Sequence, residues 1–98
     1  MTPEQKKLNL LGLAMRARQL VSGDELVEKA VKNGSVKLVV CAKDASVATL
    51  ERYSGFCQRN NIPLNTEFTR DEISHAVGKS RTIVGLTNHG MIKTFLGY

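Results

Sequence analysis

The chain has 98 residues, 42% of them hydrophobic and 23% charged. That is an ordinary globular composition, with enough length for one domain, residues 1–98, and too little for two cores. Its formal charge of +5 is unevenly spread: residues 1–22 set Lys6, Lys7, Arg16 and Arg18 against Glu4, residues 78–98 carry Lys79, Arg81 and Lys93 with no acid, and the middle is nearly neutral. Two basic ends on a neutral body attract phosphate if the fold joins them, and otherwise only solubilise the chain. The apolar run Leu8 to Met15 contains Asn9 and stops at Arg16, too short and too polar for a signal or membrane-spanning segment. Cys41 and Cys57 form no CxxC pair and no metal-ligand spacing. They read as buried reduced thiols, and the expected location is cytoplasmic.

In chain order, Thr2-Pro3-Glu4-Gln5 opens a first helix with an N-cap, a proline at its first position and a capping-box glutamine. Leu8, Leu11 and Met15 fall on one face of it. Gln19 to Val21 is a short strand. Ser22-Gly23-Asp24-Glu25 has the S/T-x-x-E form of a capping box and starts a second helix, with Leu26, Val27, Ala30 and Val31 as its apolar face and Asn33-Gly34 as its stop. Val36 to Ala42 is β-branched and almost wholly apolar, as in a strand covered on both faces. The segment Asp44 to Ser46 supplies a cap for a third helix whose stripe is Val47, Leu50, Ser54 and Cys57, with Tyr53 beside it. Pro63 to Phe68 is a weaker strand. Thr69-Arg70-Asp71-Glu72 is another capping box, Arg81 to Thr87 another buried strand, and Asn88 caps a last helix. The order α-β-α-β-α-β-α-β-α predicts a three-layer α/β/α sandwich around a four-stranded sheet.

Catalytic and nucleotide-binding motifs are missing. The glycines at 12, 23, 34, 55, 78, 85, 90 and 97 include no two that lie two or three apart, which excludes GxGxxG and the GxxG loop of KH domains. Gly85 and Gly90 have the spacing of a phosphate-binding loop, but Met91 and Ile92 stand where a lysine and a hydroxyl are needed. His75 and His89, the only histidines, have no spacing that pairs them with either cysteine, and the acids cluster at helix starts, where the dipole favours them. Five aromatics with no alternating aromatic strand leave no base-stacking sheet. A chain of this kind that binds RNA does so through a helix start, loops and cations, and no enzyme activity or cofactor is expected.

The helix start at SGDELVEK is the best local candidate. Gly23 permits close backbone approach to a phosphate, while the plain structural reading makes Glu25 a capping carboxylate paired with Lys29, worth roughly 0.2–0.5 kcal/mol. Resemblance adds to this. The stretch LNLLGLAMRARQLVSGDELVEKAVKNGSVKLVVCAKDAS, continued by FTRDEISHAVGKSRTIVGLTNHG, closely resembles the bacterial YlxQ-type members of the ribosomal L7Ae/L30e superfamily of kink-turn RNA binders. The likeness covers nearly the whole chain.

The resemblance implies a mixed four-stranded sheet and a non-catalytic protein that grips structured RNA, a kink-turn or ribosomal RNA; nothing in the sequence indicates an oligomer, so a monomer is the default expectation. The implied surface is the start of the second helix with the loop before the last strand. In this chain those are Gly23 to Lys29 and Gly78 to Thr82, with Gly23, Asp24, Glu25, Leu26, Lys29, Lys79, Ser80 and Arg81 as the expected contact residues and Arg16 and Arg18 expected close to the first element. Where the family has Gly-Thr-Asn-Glu-x-x-Lys, this chain has Gly23-Asp24-Glu25-Leu26-Val27-Glu28-Lys29. Glycine and lysine match, but Glu25-Leu26 replaces the Asn-Glu pair that reads guanine. Glu25 can accept a hydrogen bond from a guanine edge, and Leu26 can make none. Arg18-Gln19 likewise stands where relatives show Gly-Lys. The alternative reading is an adaptor on the ribosome or the transcription–translation machinery, with Leu26 as a protein contact.

Overall fold

The computed structural model describes residues 1–98. Five helices alternate with four strands: α1 (Pro3–Arg16), β1 (Leu20–Ser22), α2 (Asp24–Lys32), β2 (Leu38–Cys41), α3 (Val47–Arg59), β3 (Leu64–Asn65), α4 (Arg70–Val77), β4 (Ile83–Leu86) and α5 (His89–Gly97). The sheet order is β1-β4-β2-β3, with β4 antiparallel to both β1 and β2 and β2 parallel to β3. The mixed sheet and the expected order of elements are both present.

Side-chain alternation sorts the strands between two cores. Leu38, Val40, Val84 and Leu86 point to one face and pack with Leu11 of α1, Ile73 of α4 and Phe95 of α5. Val39, Cys41 and Ile83 point to the other and pack with Val27 and Val31 of α2 and with Tyr53 and Phe56 of α3. Because β2 and β4 are covered on both faces, all eight of their residues are buried, which is why both segments read as unbroken apolar runs. Burial in apolar surroundings pushes the Cys41 thiol up to about 11 and raises that of Cys57 as well, and both cysteines are free.

Several local signals work as their chemistry requires. Thr2 and Gln5, and likewise Thr69 and Glu72, form reciprocal capping boxes; Ser46 and Asn88 cap α3 and α5. Three expectations need correction. The Ser22–Glu25 box does not form: Gly23 is the N-cap of α2 at φ +98°, with no side-chain cap bond, because Ser22 is held in β1 opposite Val84. Leu26 is not on the buried face of α2 but 61% exposed, and Val47 is 70% exposed. Finally, the buried stripe of α3 is Tyr53, Phe56 and Cys57, shifted round the helix from the expected one, with Ser54 in solvent.

Helix α1 crosses α4 so closely that a Cβ built on Gly12 would lie 2.9 Å from the Ala76 carbonyl oxygen. Helix propensity alone makes Gly12→Ala stabilising by about 1 kcal/mol. The backbone contact reverses the sign, so this substitution is expected to destabilise by about 1–3 kcal/mol, as read from the urea midpoint at unchanged m-value.

Candidate nucleic-acid interface

At one end of the sheet, a groove of about 480 Å³ lies between the start of α2, the loop after β2 and the α4–β4 loop; its lining includes Gly23, Asp24, Asp44, Ser46, Arg70, Ser80, Arg81 and Thr82. Two backbone bonds set its floor: the Gly23 N–H donates to the Ile83 carbonyl at 2.9 Å, and the Ala42 N–H donates to that of Thr82, also at 2.9 Å. The positive φ of Gly23 turns the chain from β1 into α2 at a place where other residues would be strained.

Two arginines line this groove, and neither pairs with a carboxylate, since the protein's four ion contacts lie elsewhere. Arg81 donates from Nε to Ser22 Oγ at 3.0 Å and from Nη1 to the Ser80 carbonyl at 2.9 Å. Its backbone is fixed by Ser74, whose Oγ accepts from the Arg81 N–H at 2.9 Å and donates to the Arg81 carbonyl at 3.1 Å. Arg70 donates from Nε to Thr82 Oγ1 at 3.1 Å and from Nη2 to Ser80 Oγ, while its backbone N–H donates to Asp44 at 2.8 Å. Both guanidiniums are thus oriented by neutral oxygens, have no carboxylate partner, and retain a terminal nitrogen with no protein partner.

The acid on the α2 side is differently placed. Asp24 receives both terminal nitrogens of Arg52 and the Tyr53 hydroxyl, the latter at 2.7 Å. The Arg52 guanidinium holds the Asp24 carboxyl below its usual range against a smaller opposing effect of burial. Burial first, and Asp24 second, push the Tyr53 hydroxyl well above the ordinary tyrosine value. Arg52 also reaches Glu28 at 3.2 Å, and Glu28 in turn lies 3.7 Å from Lys32.

Of the ten residues expected at the site, the groove joins Gly23, Asp24, Ser80 and Arg81. Glu25, Leu26 and Lys29 are exposed on the adjoining solvent side of α2. Glu25 is neither a cap nor a partner of Lys29, so the plain structural account of that pair does not hold. Lys79 is exposed in the α4–β4 loop, directly after the left-handed Gly78. The groove does not take in Arg16 or Arg18. Arg16 lines a separate furrow between α1 and α4 with Gly12, Asp71 and His75. Arg18 occupies the α1–β1 turn at φ +59°, at the opposite end of β1 from Gly23.

Sequence reading missed Arg70, Asp44 and Ser46, whereas Thr82 ends the Gly78 to Thr82 segment that the resemblance implies. For Arg70 the available signal was its place as the first helical residue after the Thr69 cap; the other two join the site only through the sheet. The site has no group of three or more potential metal ligands, nor does the rest of the protein, and no helix is long and apolar enough to cross a membrane.

Residues 5–93 match the ribosomal protein L7Ae/L30e/S12e/Gadd45 family. The chain is 36% identical over 89 residues to the RNA-binding protein YlxQ of Enterococcus faecium, covering 91% of this chain and 86% of that one. It is 38% identical over 82 residues to the RNA-binding protein YlxQ of Bacillus subtilis, covering 83% and 82%. Among solved structures, a protein of unknown function from Bacillus halodurans superposes with a TM-score of 0.90 at 39% identity over 94% of each chain. A 15.5kD RNA-binding protein of Giardia lamblia gives 0.82 at 17% identity, covering 97% of this chain and 85% of that one, and shares the fold.

The depressed Asp24 carboxyl makes a pH test. A group whose folded value lies below its unfolded one, ordinarily 3.8 here, adds stability above that value and loses it as pH falls through the folded one. Thermal midpoints are therefore expected to fall as the pH drops below about 4, and to fall less steeply in Asp24→Asn. Equal slopes in the two proteins would remove Asp24 from the acid transition.

Proposed function

We propose that this chain, which belongs to the ribosomal protein L7Ae/L30e/S12e/Gadd45 family, is a non-catalytic, cytoplasmic RNA-binding protein that recognises a kink-turn or similar structured RNA, acting as a single monomeric domain in association with the ribosome. The observation that carries this reading is the pair of carboxylate-free guanidiniums, Arg70 and Arg81, across the groove from the glycine that opens α2. Guanidiniums with spare donors suit phosphate oxygens, which supply affinity and salt dependence, and a helix start with no side-chain cap leaves backbone amides for an anion. The curated relatives are RNA-binding proteins by name.

In this reading Arg81, Lys29 and Lys79 contact the bent backbone, Gly23 allows close approach, and the unpaired Glu25 carboxylate accepts from a base edge. Leu26 supports a second reading. A leucine 61% exposed beside a helix start also suits contact with a ribosomal or transcription–translation protein.

Titration into a labelled kink-turn RNA, and into the same RNA lacking its sheared G·A pairs, at two salt concentrations tests the proposal. Preference for the intact element is expected; equal, weak and strongly salt-dependent binding to both would leave a basic surface without kink-turn recognition. Lys29→Ala is expected to weaken binding and lower the salt slope by about one unit, and an unchanged slope would take Lys29 out of the interface. In the same titration Leu26→Ala separates the two readings: a loss of affinity assigns the side chain to RNA, whereas unaltered binding leaves it to a protein partner.

A further inference from the structure

The Asp24–Arg52 pair is a charged feature at the groove that the proposed function does not use. Asp24 lines the groove and begins α2 directly after Gly23, so its negative charge stands where RNA phosphate would pass. Two groups hold it. Arg52 meets both carboxylate oxygens in a two-pronged contact, Tyr53 donates to Oδ1, and the Tyr53 hydroxyl also lies 2.9 Å from the Asp24 carbonyl. The Tyr53 ring is fully buried, and the Arg52 guanidinium lies over it, 4.9 Å from its centre. The ring is thus a fixed base that limits where the guanidinium can go.

Arg52 is on α3 and does not line the groove, and both its terminal nitrogens are already occupied by acids of α2. A cation spent in this way is poorly placed to grip phosphate itself. It can do two other things: cancel the Asp24 charge at the groove wall, and tie the first turn of α2 to α3 where no side-chain cap does so.

We infer that Arg52 is a positioning residue of the RNA interface, which neutralises Asp24 and holds the start of α2 for the ligand without touching RNA. The inference rests on the proposed RNA-binding function. An uncancelled carboxylate within a few ångströms of a phosphate path repels it through a partly screened medium, and a mobile helix start adds an ordering cost on binding.

The test is a double-mutant cycle read by titration of the kink-turn RNA, with thermal midpoints as a check on folding. Arg52→Gln is expected to weaken binding about five- to tenfold, the size of one nearby uncompensated charge. Asp24→Asn removes the charge that Arg52 masks and forms the second arm of the cycle, in which Arg52→Gln should cost clearly less than it does in the unaltered protein. The doubly substituted Asp24→Asn/Arg52→Gln protein should recover to within about threefold, since the charge to be masked is gone and only the untied helix start still costs affinity. Arg52→Lys, which keeps the cation, should stay close to the unaltered protein.

If Arg52→Gln binds normally, or if it is weakened with a salt slope lowered by one and no recovery in the double variant, the inference is overturned; the second outcome makes Arg52 a direct phosphate contact. If Arg52→Gln does not fold, Arg52→Lys and the double variant still decide it, because a five- to tenfold loss of RNA affinity in folded Arg52→Lys, or in the folded double variant, contradicts masking. Failure of the unaltered protein to bind any RNA would remove the proposed function itself, a result distinct from normal binding by Arg52→Gln.

Discussion

The antiparallel pairing of β1 with β4 governs both the fold and the groove. It sets Ser22 opposite Val84 and brings the Gly23 N–H to the Ile83 carbonyl, so the start of α2 and the end of the α4–β4 loop meet although some sixty positions of sequence separate them. Once that register is fixed, Arg81 lies within reach of Ser22 Oγ, and the bond from Ala42 to Thr82 adds the loop after β2 as a third wall. Loops carry the contact residues, but strand pairing decides which loops are neighbours. A one-residue slip of β1 would move Val21 from one core to the other and would shift Gly23 away from Arg81.

The same pairing explains where the sequence is legible and where it is not. Signals that act within one turn of chain could be read directly: Thr2 with Gln5 and Thr69 with Glu72 cap as their spacing requires. The similar spacing at Ser22 and Glu25 failed because a long-range demand came first. Ser22 is committed to β1 and to Arg81, which leaves Gly23 at the cap. Leu26 illustrates a related limit. It fits an apolar period, yet α2 needs only Val27, Ala30 and Val31 to cover its part of the sheet, so Leu26 falls at the margin of the buried face and stays in solvent. Asp44 lies 26 residues from Arg70, whose N–H it accepts, and Arg52 lies 28 and 24 residues from Asp24 and Glu28, and no spacing rule reaches that far. The family resemblance, by contrast, supplied the mixed sheet and the two elements that frame the groove, because it carries the long-range topology that periodicity lacks.

The charge pattern has a physical outcome different from the one its linear distribution implies. Of the basic residues near the two ends, Arg81 lines the groove while Arg16 and Arg18 do not. The groove instead gains Arg70 from the nearly neutral middle of the chain. What matters locally is which cations are left unpaired. Arg52 and Lys7 are committed to acids, whereas Arg70 and Arg81 are held by hydroxyls and a carbonyl, which orient a guanidinium without cancelling its charge.

Stability and function make separable demands on the first turns of α2. Packing accounts for Val27, Ala30 and Val31, and cross-helix ion pairing accounts for Asp24 and Glu28. Glu25, Leu26 and Lys29 are explained by neither, since each is exposed and none has a side-chain partner in the protein. An exposed leucine is commonplace when it stands alone. Here an acceptor, an apolar group and a cation share one helical surface, beside two arginines with no carboxylate partner, and neither the packing nor the ion pairing of α2 calls for any of the three.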